Sequence, residues 1–250
     1  MRLKGKGAVV TGAGGGFGEG IARRFAAEGA HVVVADIDAG AARRVAASIG
    51  NGAVAFAGDV SRGEDFRAMV GAAVDRFGGL DILVNNAGTT HRNQPMLDVD
   101  EATFDRVYAV NVKSLYWSMQ AAVPVLRAQG RGGSIINISS TAGIRPRPGL
   151  VWYNGTKGAV NTMTQCMAIE LAPDNIRVNA ICPVLGATGL TALFMGQPDS
   201  PEVRQKFMAT IPLGRMSQPS DIANACVWLG EDASSFITGV LLPVDGGRLA

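Results

Sequence analysis

Tyr153-Asn154-Gly155-Thr156-Lys157 puts a phenol and an ammonium four residues apart at the head of a predicted helix, Tyr153–Leu171. At about 3.6 residues per turn the two side chains share one helical face. A phenol ionises near pH ~10 in water and is a poor base at neutrality. Bringing it to about 7 takes ~4 kcal/mol of differential stabilisation of the phenolate. An ammonium at ~4 Å supplies about that much at an effective dielectric of roughly 20. The pair can therefore make a tyrosine base, provided that a neighbour has a proton to give. On the pentapeptide alone, a chance Tyr and Lys is the simpler account. The rest of the chain decides.

The elements that would carry such a pair follow from the hydrophobic pattern. Apolar, β-branched runs alternate with helical patterns along the 250 residues, which predicts a parallel sheet covered by helices on both faces. The expected strands are Ala8–Thr11, His31–Asp36, Ala53–Ala57, Ile82–Asn85, Ser134–Ser139, Arg177–Ile181 and Val240–Val244. Val32-Val33-Val34 and Ile135-Ile136 run without alternation, as strands buried on both sides do. Helices are expected at Phe17–Glu28, Gly63–Phe77, Glu101–Gln129, Tyr153–Leu171 and Ser220–Leu229. The fold class is thus α/β, a single doubly wound domain over residues 1–250 with a seven-stranded parallel sheet. Residues 185–209 break the rhythm with Gly196, Pro198 and Pro201, and such an insertion before the last helix and strand is expected to be a substrate lid.

Composition narrows the function. Hydrophobic residues make up 47% of the chain, enough for a large core and against disorder. The net charge of +2 with no basic block gives no support for a nucleic-acid partner. Cys166, Cys182 and Cys226 lack CxxC spacing and read as small core residues in a reducing compartment. The two histidines, His31 and His91, have no ligand-like cluster around them, so no metal is expected. No apolar run is long enough for a bilayer, and a strand beginning near Gly7 leaves no room for a targeting peptide. The expectation is a cytoplasmic protein with a small-molecule partner and no membrane contact.

Thr11-Gly12-Ala13-Gly14-Gly15-Gly16-Phe17-Gly18 joins the first strand to the first helix. Glycines there permit a tight turn and a close approach of backbone N–H groups to a pyrophosphate at the helix N-terminus. A glycine-rich turn without a ligand is the alternative. Asp36, about 20 positions further on, ends the second strand where a ribose 2′-hydroxyl would be held. Its carboxylate repels a 2′-phosphate, which favours NAD over NADP. It is otherwise a strand-end Asp starting a turn. Asp59-Val60 would place a carboxylate beside an adenine amino group, or Asp59 is a cap. Asn85-Asn86-Ala87-Gly88 closes the fourth strand at the carboxyl edge, where open α/β sheets bind ligands. Asn111 falls in mid-helix, where Asn is a mediocre residue without a special task.

Together, Thr11-Gly12-x-x-x-Gly16-x-Gly18, Asn85-Asn86-Ala87-Gly88, Asn111, Ser140 and Tyr153-x-x-x-Lys157 resemble the short-chain dehydrogenase/reductase family. The resemblance extends to Val244-Asp245-Gly246-Gly247 and so covers essentially the whole chain. It implies a nicotinamide cofactor held by Gly12, Gly16, Phe17, Gly18, Asp36, Asp59, Val60, Asn86, Ala87, Gly88, Tyr153, Lys157, Pro183 and Thr188. It implies Tyr153 as the base that takes the hydroxyl proton, and Ser140 as the group that positions the substrate oxygen. Lys157 would lower the tyrosine pKa and bind the nicotinamide ribose. Asn111 would hold a water linking Lys157 to solvent. One position departs from the family pattern, Val184 standing where a glycine is expected after Pro183. Since Val adopts positive φ only at a cost, the backbone there is expected to differ. Family members usually form homotetramers through the long helices and the last strand.

Specificity is less directly written. Arg145-Pro146-Arg147-Pro148 lies between Ser140 and Tyr153, and its two arginines could grip a carboxylate, sulfonate or phosphate. An oligomer contact or a solvated surface is the alternative. His91-Arg92-Asn93-Gln94 would face the mouth or form a solvated loop. Trp152 with Phe194-Met195 would give an apolar wall, though helix packing accounts for Trp152 equally well. The expected activity is NAD-dependent hydride transfer between a secondary alcohol or ketone and nicotinamide, on a polyol, sugar or hydroxy acid. A 3-oxoacyl-acyl-carrier-protein reductase and a non-catalytic dinucleotide-binding protein are the alternatives.

Overall fold

Continuous apolar strands need cover on both faces, and the computed structural model supplies it. It describes residues 1–50, 52–186, 189–198 and 200–250. Seven parallel strands lie in the order β3-β2-β1-β4-β5-β6-β7. They are β1 (Gly7–Thr11), β2 (His31–Asp36), β3 (Val54–Ala57), β4 (Ile82–Asn85), β5 (Gly133–Ile138), β6 (Ile176–Pro183) and β7 (Leu241–Val244). The helices between them are α1 (Gly16–Ala27), α2 (Ala39–Ile49), α3 (Gly63–Phe77), α4 (Glu101–Tyr108), α5 (Ser114–Gln129) and α6 (Val151–Leu171). Two short ones, α7 (Thr191–Met195) and α8 (Pro201–Met208), precede α9 (Pro219–Gly230). The chain forms a single α/β domain.

Alternate side chains of each strand go to opposite layers. Val32 and Val34 pack with Ile21 and Phe25 of α1 and Ile222 and Val227 of α9. Val33, between them, packs with Phe66 and Met69 of α3 and Leu126 of α5. Burying both faces at about 25 cal/mol per Å² of apolar surface holds the strand register and therefore the loops at the carboxyl ends.

Three sequence expectations are revised. Helix α2 joins the predicted set: Asp38 caps it, its carboxylate accepting from Gly40 N–H and Ala41 N–H at 2.8 and 3.1 Å. The span 101–129 is not one helix, because a π-helical turn at Ala109–Lys113 separates α4 from α5. Cys166 is exposed, while Cys182 and Cys226 are buried. It lies on the outer face of α6, with Asn161 and Thr164 on the inner one. Among the described residues, no helix is long and apolar enough to cross a membrane.

Candidate active site

β1 lies between β2 and β4, so successive connections leave it in opposite directions and a crevice opens at the strands' carboxyl ends. A cavity of about 660 Å³ fills that crevice. Gly12, Gly15 and Gly16 form part of its floor. Gly12 has φ +62°, and a Cβ there would stand 2.9 Å from Ala87 Cα. A Cβ on Gly15 would meet nothing within 4 Å, so the floor is bare backbone at the start of α1, where N–H groups lack helical partners. Phe17 lines the cavity as well. Gly18 stands behind the floor: a Cβ on it would fall 2.1 Å from Gly12 O, so glycine there lets α1 seat on the turn.

Asn86 fastens this turn from the neighbouring strand, donating through Nδ2 to Thr11 O at 2.8 Å and Gly12 O at 3.2 Å. Asn86, Ala87 and Gly88 all line the cavity. Asp36 lines it too, its carboxylate accepting from Gly14 N–H at 2.8 Å and Asp38 N–H at 2.9 Å. Arg44 of α2 comes close, donating to Gly14 O at 2.7 Å and sharing Glu19, at 3.3 Å, with Arg23 at 2.7 Å. Asp59 lines the cavity beside Val60 and caps a turn, accepting from Ser61 N–H and Oγ at 2.8 Å each. Bare helix-start backbone, a fixed carboxylate at the end of β2 and an apolar Val60 fit a dinucleotide.

Tyr153 and Lys157 enter the other half of the cavity from the first turns of α6, 6% and 5% exposed. Lys157 Nζ donates to Ile138 O at 2.9 Å and lies 5.8 Å from the Tyr153 ring centre. Burial lowers Lys157 to about 8, since a desolvated ammonium is disfavoured. Burial likewise pushes the Tyr153 phenol up to about 12, with the Ser140 hydroxyl and the Arg147 charge acting the other way. The expected lowering of the phenol by Lys157 is thus not the main influence here. The ammonium is turned to a carbonyl, and Ser140 and Arg147 oppose burial instead. Ser140 lines the cavity and accepts from Ala142 N–H at 3.1 Å. Ser139 is spent mainly on structure, donating to Asn161 Oδ1 at 2.6 Å.

Asn111 sits in the π-helical turn, buried. Its Nδ2 donates to Thr89 O at 2.8 Å and Thr156 Oγ1 at 3.0 Å, and its Oδ1 accepts from Thr89 N–H at 2.8 Å. Both amide hydrogens are therefore committed, and the side chain ties the loop after β4 to α6. Such turns interrupt a helix where a side chain has a particular task. Pro183 ends β6 on the cavity wall. Val184 does not take positive φ, since Asn175 alone among the described non-glycine residues does. Thr188 lies outside the described residues.

The sequence profile described as enoyl-(acyl carrier protein) reductase matches residues 12–248. The 4-formylbenzenesulfonate dehydrogenase of Comamonas testosteroni is 50% identical over 99% of both chains. The chain belongs to the short-chain dehydrogenase/reductase family. The meso-2,3-butanediol dehydrogenase of Serratia marcescens is 38% identical over 100% of this chain and 97% of its own. A crystal structure of 3-ketoacyl-(acyl-carrier-protein) reductase from Brucella melitensis complexed with NADH superposes with a TM-score of 0.93. It is 47% identical and covers 99% of this chain and 100% of its own. As a member of this family the chain is an oxidoreductase that acts on CH–OH groups with a nicotinamide cofactor.

Within this dehydrogenase/reductase the substrate half is built from loops. Arg145 and Arg147 both line the cavity. Arg145 is exposed and reaches Arg248 O at 3.4 Å. Arg147 is half-buried and donates to Phe194 O at 3.1 Å. Burial holds its guanidinium below the usual range, opposed by Tyr153 and reinforced by Arg248. Phe194 of α7 meets the Tyr153 ring edge-on at 5.0 Å. Trp152 turns away, edge-on to Phe104 at 5.2 Å with its indole N–H on Met96 O, so helix packing is its role. His91 is buried and does not face the mouth. Its neighbours clasp α7 instead, Arg92 donating to Gly196 O at 2.8 Å and Asn93 N–H to Leu193 O at 2.9 Å. Sequence reasoning missed Arg248, Leu249 and Phe207 on the wall: the first two directly follow Val244-Asp245-Gly246-Gly247 and the third lies in the 185–209 insertion, but no local pattern shows that they face the cavity.

Proposed function

We propose that the protein is an NAD-dependent dehydrogenase that oxidises, or in reverse forms, a CH–OH group on a small hydroxylated molecule (a polyol, sugar or hydroxy acid). One observation carries this reading. Ser140, Tyr153 and Lys157 line one end of the cavity whose other end is the glycine turn with Asp36. Gly12, Gly16, Phe17, Asp36, Asp59, Val60, Asn86, Ala87, Gly88, Pro183 and Thr188 would hold the dinucleotide, with Gly18 supporting the turn from behind. A bound nicotinamide supplies the hydride acceptor or donor.

The chain's own residues do the rest. Ser140 orients the substrate oxygen by hydrogen bonding. Tyr153 takes the hydroxyl proton in oxidation and returns it in reduction. Lys157, held on Ile138 O, supplies positive charge beside that proton path. Asn111 fixes the backbone around it and is a positioning residue. Residues 185–209 act as the lid. The Asp36 carboxylate, fixed beside Gly14 N–H, disfavours a 2′-phosphate, which supports NAD. Arg145 and Arg147 would meet an anionic substituent of the substrate, and the name of the Comamonas relative, with its sulfonate, agrees with that. Tyr116, Ile169 and the fully exposed Phe236 support a homotetramer joined through α5, α6 and the β7 end, and the free cysteines support a cytoplasmic setting.

A second reading, 3-oxoacyl-acyl-carrier-protein reductase, is favoured by the Brucella neighbour. Docking an acidic carrier needs free basic groups. Arg127 and Arg131 are instead paired, with Asp174 at 2.8 Å and Asp81 at 2.9 Å. The test is the initial rate of reduced-nicotinamide formation with NAD and NADP separately over polyols, sugars and hydroxy acids, with Tyr153→Phe as control. Turnover with NAD that the variant loses supports the reading. A clear NADP preference with acyl substrates would replace it by the second.

A further inference from the structure

Among the described residues, Arg147 is a half-buried cation with no carboxylate counter-ion beside it. Its ionisable neighbours are Tyr153 and Arg248, neither of them a carboxylate. Of the five N–H donors a guanidinium carries, one bond goes to the protein, to Phe194 O at 3.1 Å. The rest of the cavity wall repeats the imbalance. Arg145 and Arg248 also line it, whereas among the described residues the carboxylates that line it, Asp36 and Asp59, both belong to the dinucleotide half. A desolvated charge is costly unless paired, and a planar fork of donors suits a carboxylate or sulfonate.

The residues around Arg147 hold it in place and shape what it can bind. Asn154 Nδ2 holds the Arg147 carbonyl at 2.8 Å. Phe207 of α8 lies under the guanidinium at 5.4 Å. Phe194 links the two ends of the substrate half, its carbonyl on Arg147 and its ring against Tyr153. With Leu190 and Leu249 these rings give apolar walls.

We propose that Arg147 is the anion subsite of the substrate pocket. The substrate it selects is a small alcohol that joins an apolar body to a carboxylate or sulfonate. This rests on the dehydrogenase reading above, and its test separates the two.

Benzoate and benzenesulfonate are titrated calorimetrically into the NADH-loaded protein, as wild type and as Arg147→Gln, Arg147→Lys and Arg92→Gln. Wild type binds both anions, and Arg147→Gln weakens both by at least about tenfold, the loss of a charge-assisted hydrogen bond. Arg147→Lys recovers part of the affinity. Arg92→Gln removes a different lid bond, to Gly196 O, and keeps anion affinity within about threefold. Turnover of 4-(hydroxymethyl)benzoate should then exceed that of 4-methylbenzyl alcohol by about tenfold in kcat/KM, a ratio that collapses in Arg147→Gln. Anion affinity unchanged in Arg147→Gln, or lost equally in Arg92→Gln, would overturn the subsite and leave Arg147 a lid latch. Anion binding that depends on Arg147, with neither alcohol turned over, would uphold the subsite and overturn the aryl alcohol as its substrate.

Discussion

The two halves of the cavity are built in different ways. The dinucleotide half is mostly backbone. Its floor is the glycine turn, fastened by Asn86 and Asp36 through bonds to main-chain atoms of that same turn. The substrate half is mostly side chains, brought by the loop before α6, the lid helices and the C-terminal segment: Arg147, Phe194, Phe207 and Arg248. Acids line the first half and arginines the second. A ligand common to a family can be met by backbone that any member reproduces, whereas a particular substrate is met by side chains that loops exchange freely.

Tyr153→Phe tests how separate the halves are and carries the largest expected effect. Its kcat/KM should fall by about a thousandfold or more, while NAD affinity, measured by fluorescence titration, stays within a few-fold. Loss of both would mean that the halves are one unit. Asp36→Asn keeps an acceptor for Gly14 N–H but removes the charge. The kcat/KM ratio of NAD to NADP should shrink by roughly thirtyfold, about 2 kcal/mol, with no change in ranking among alcohols. A ratio that does not move would show that Asp36 only shapes the turn.

Gly18→Ala puts a methyl 2.1 Å from Gly12 O. Overpacking of this kind costs about 2 kcal/mol, read as a lower denaturant midpoint together with weaker NAD binding. Lys157→Met should do the opposite to stability while abolishing turnover. Burial takes Lys157 from 10.5 to about 8, and roughly two and a half units correspond to ~3 kcal/mol. Losing the bond to Ile138 O offsets about 1 of that, leaving a net gain of about 2 kcal/mol at pH 7. Because the folded wild type binds fewer protons than the unfolded chain between about 8 and 10.5, its own stability rises with pH there. The variant's advantage should fade across that window in denaturation series at several pH values. The smallest effect belongs to Arg92→Gln, which loosens one lid contact. It should raise KM for the alcohol about twofold, as an exposed polar contact would, and leave NAD affinity alone.

Sequence and structure agree most closely where a local rule applies. Val32-Val33-Val34 could be read as a doubly covered strand because period and burial are set by neighbours along the chain. The glycine turn could be read because only glycine takes φ +62° at Gly12 without cost. Helix α2 was equally legible from Asp38 and the Ala42, Val45, Ala46 spacing, a cap signal standing beside the competing turn reading of Asp36-Ile37-Asp38. Asn111 looked like a mid-helix anomaly. Its π-helical turn exists because Thr89 and Thr156, far away in sequence, take its amide. His91 and Trp152 sit next to motif residues, yet neither lines the cavity, since the direction of a side chain depends on what packs against it.

By itself the sequence determined the parallel sheet, the dinucleotide turn and the Tyr153–Lys157 pair, all encoded by residue types at short spacing. Ser140 could be chosen over Ser139 only by family spacing, and the structure supplies the physical difference: Ser139 is bonded to Asn161. Tertiary structure alone decided that Lys157 turns to Ile138 O, that Arg147 and not Arg145 is half-buried near the phenol, and that Arg248 completes the wall. Burial and charge at those atoms are set by chain segments up to a hundred residues apart, and no local pattern records them.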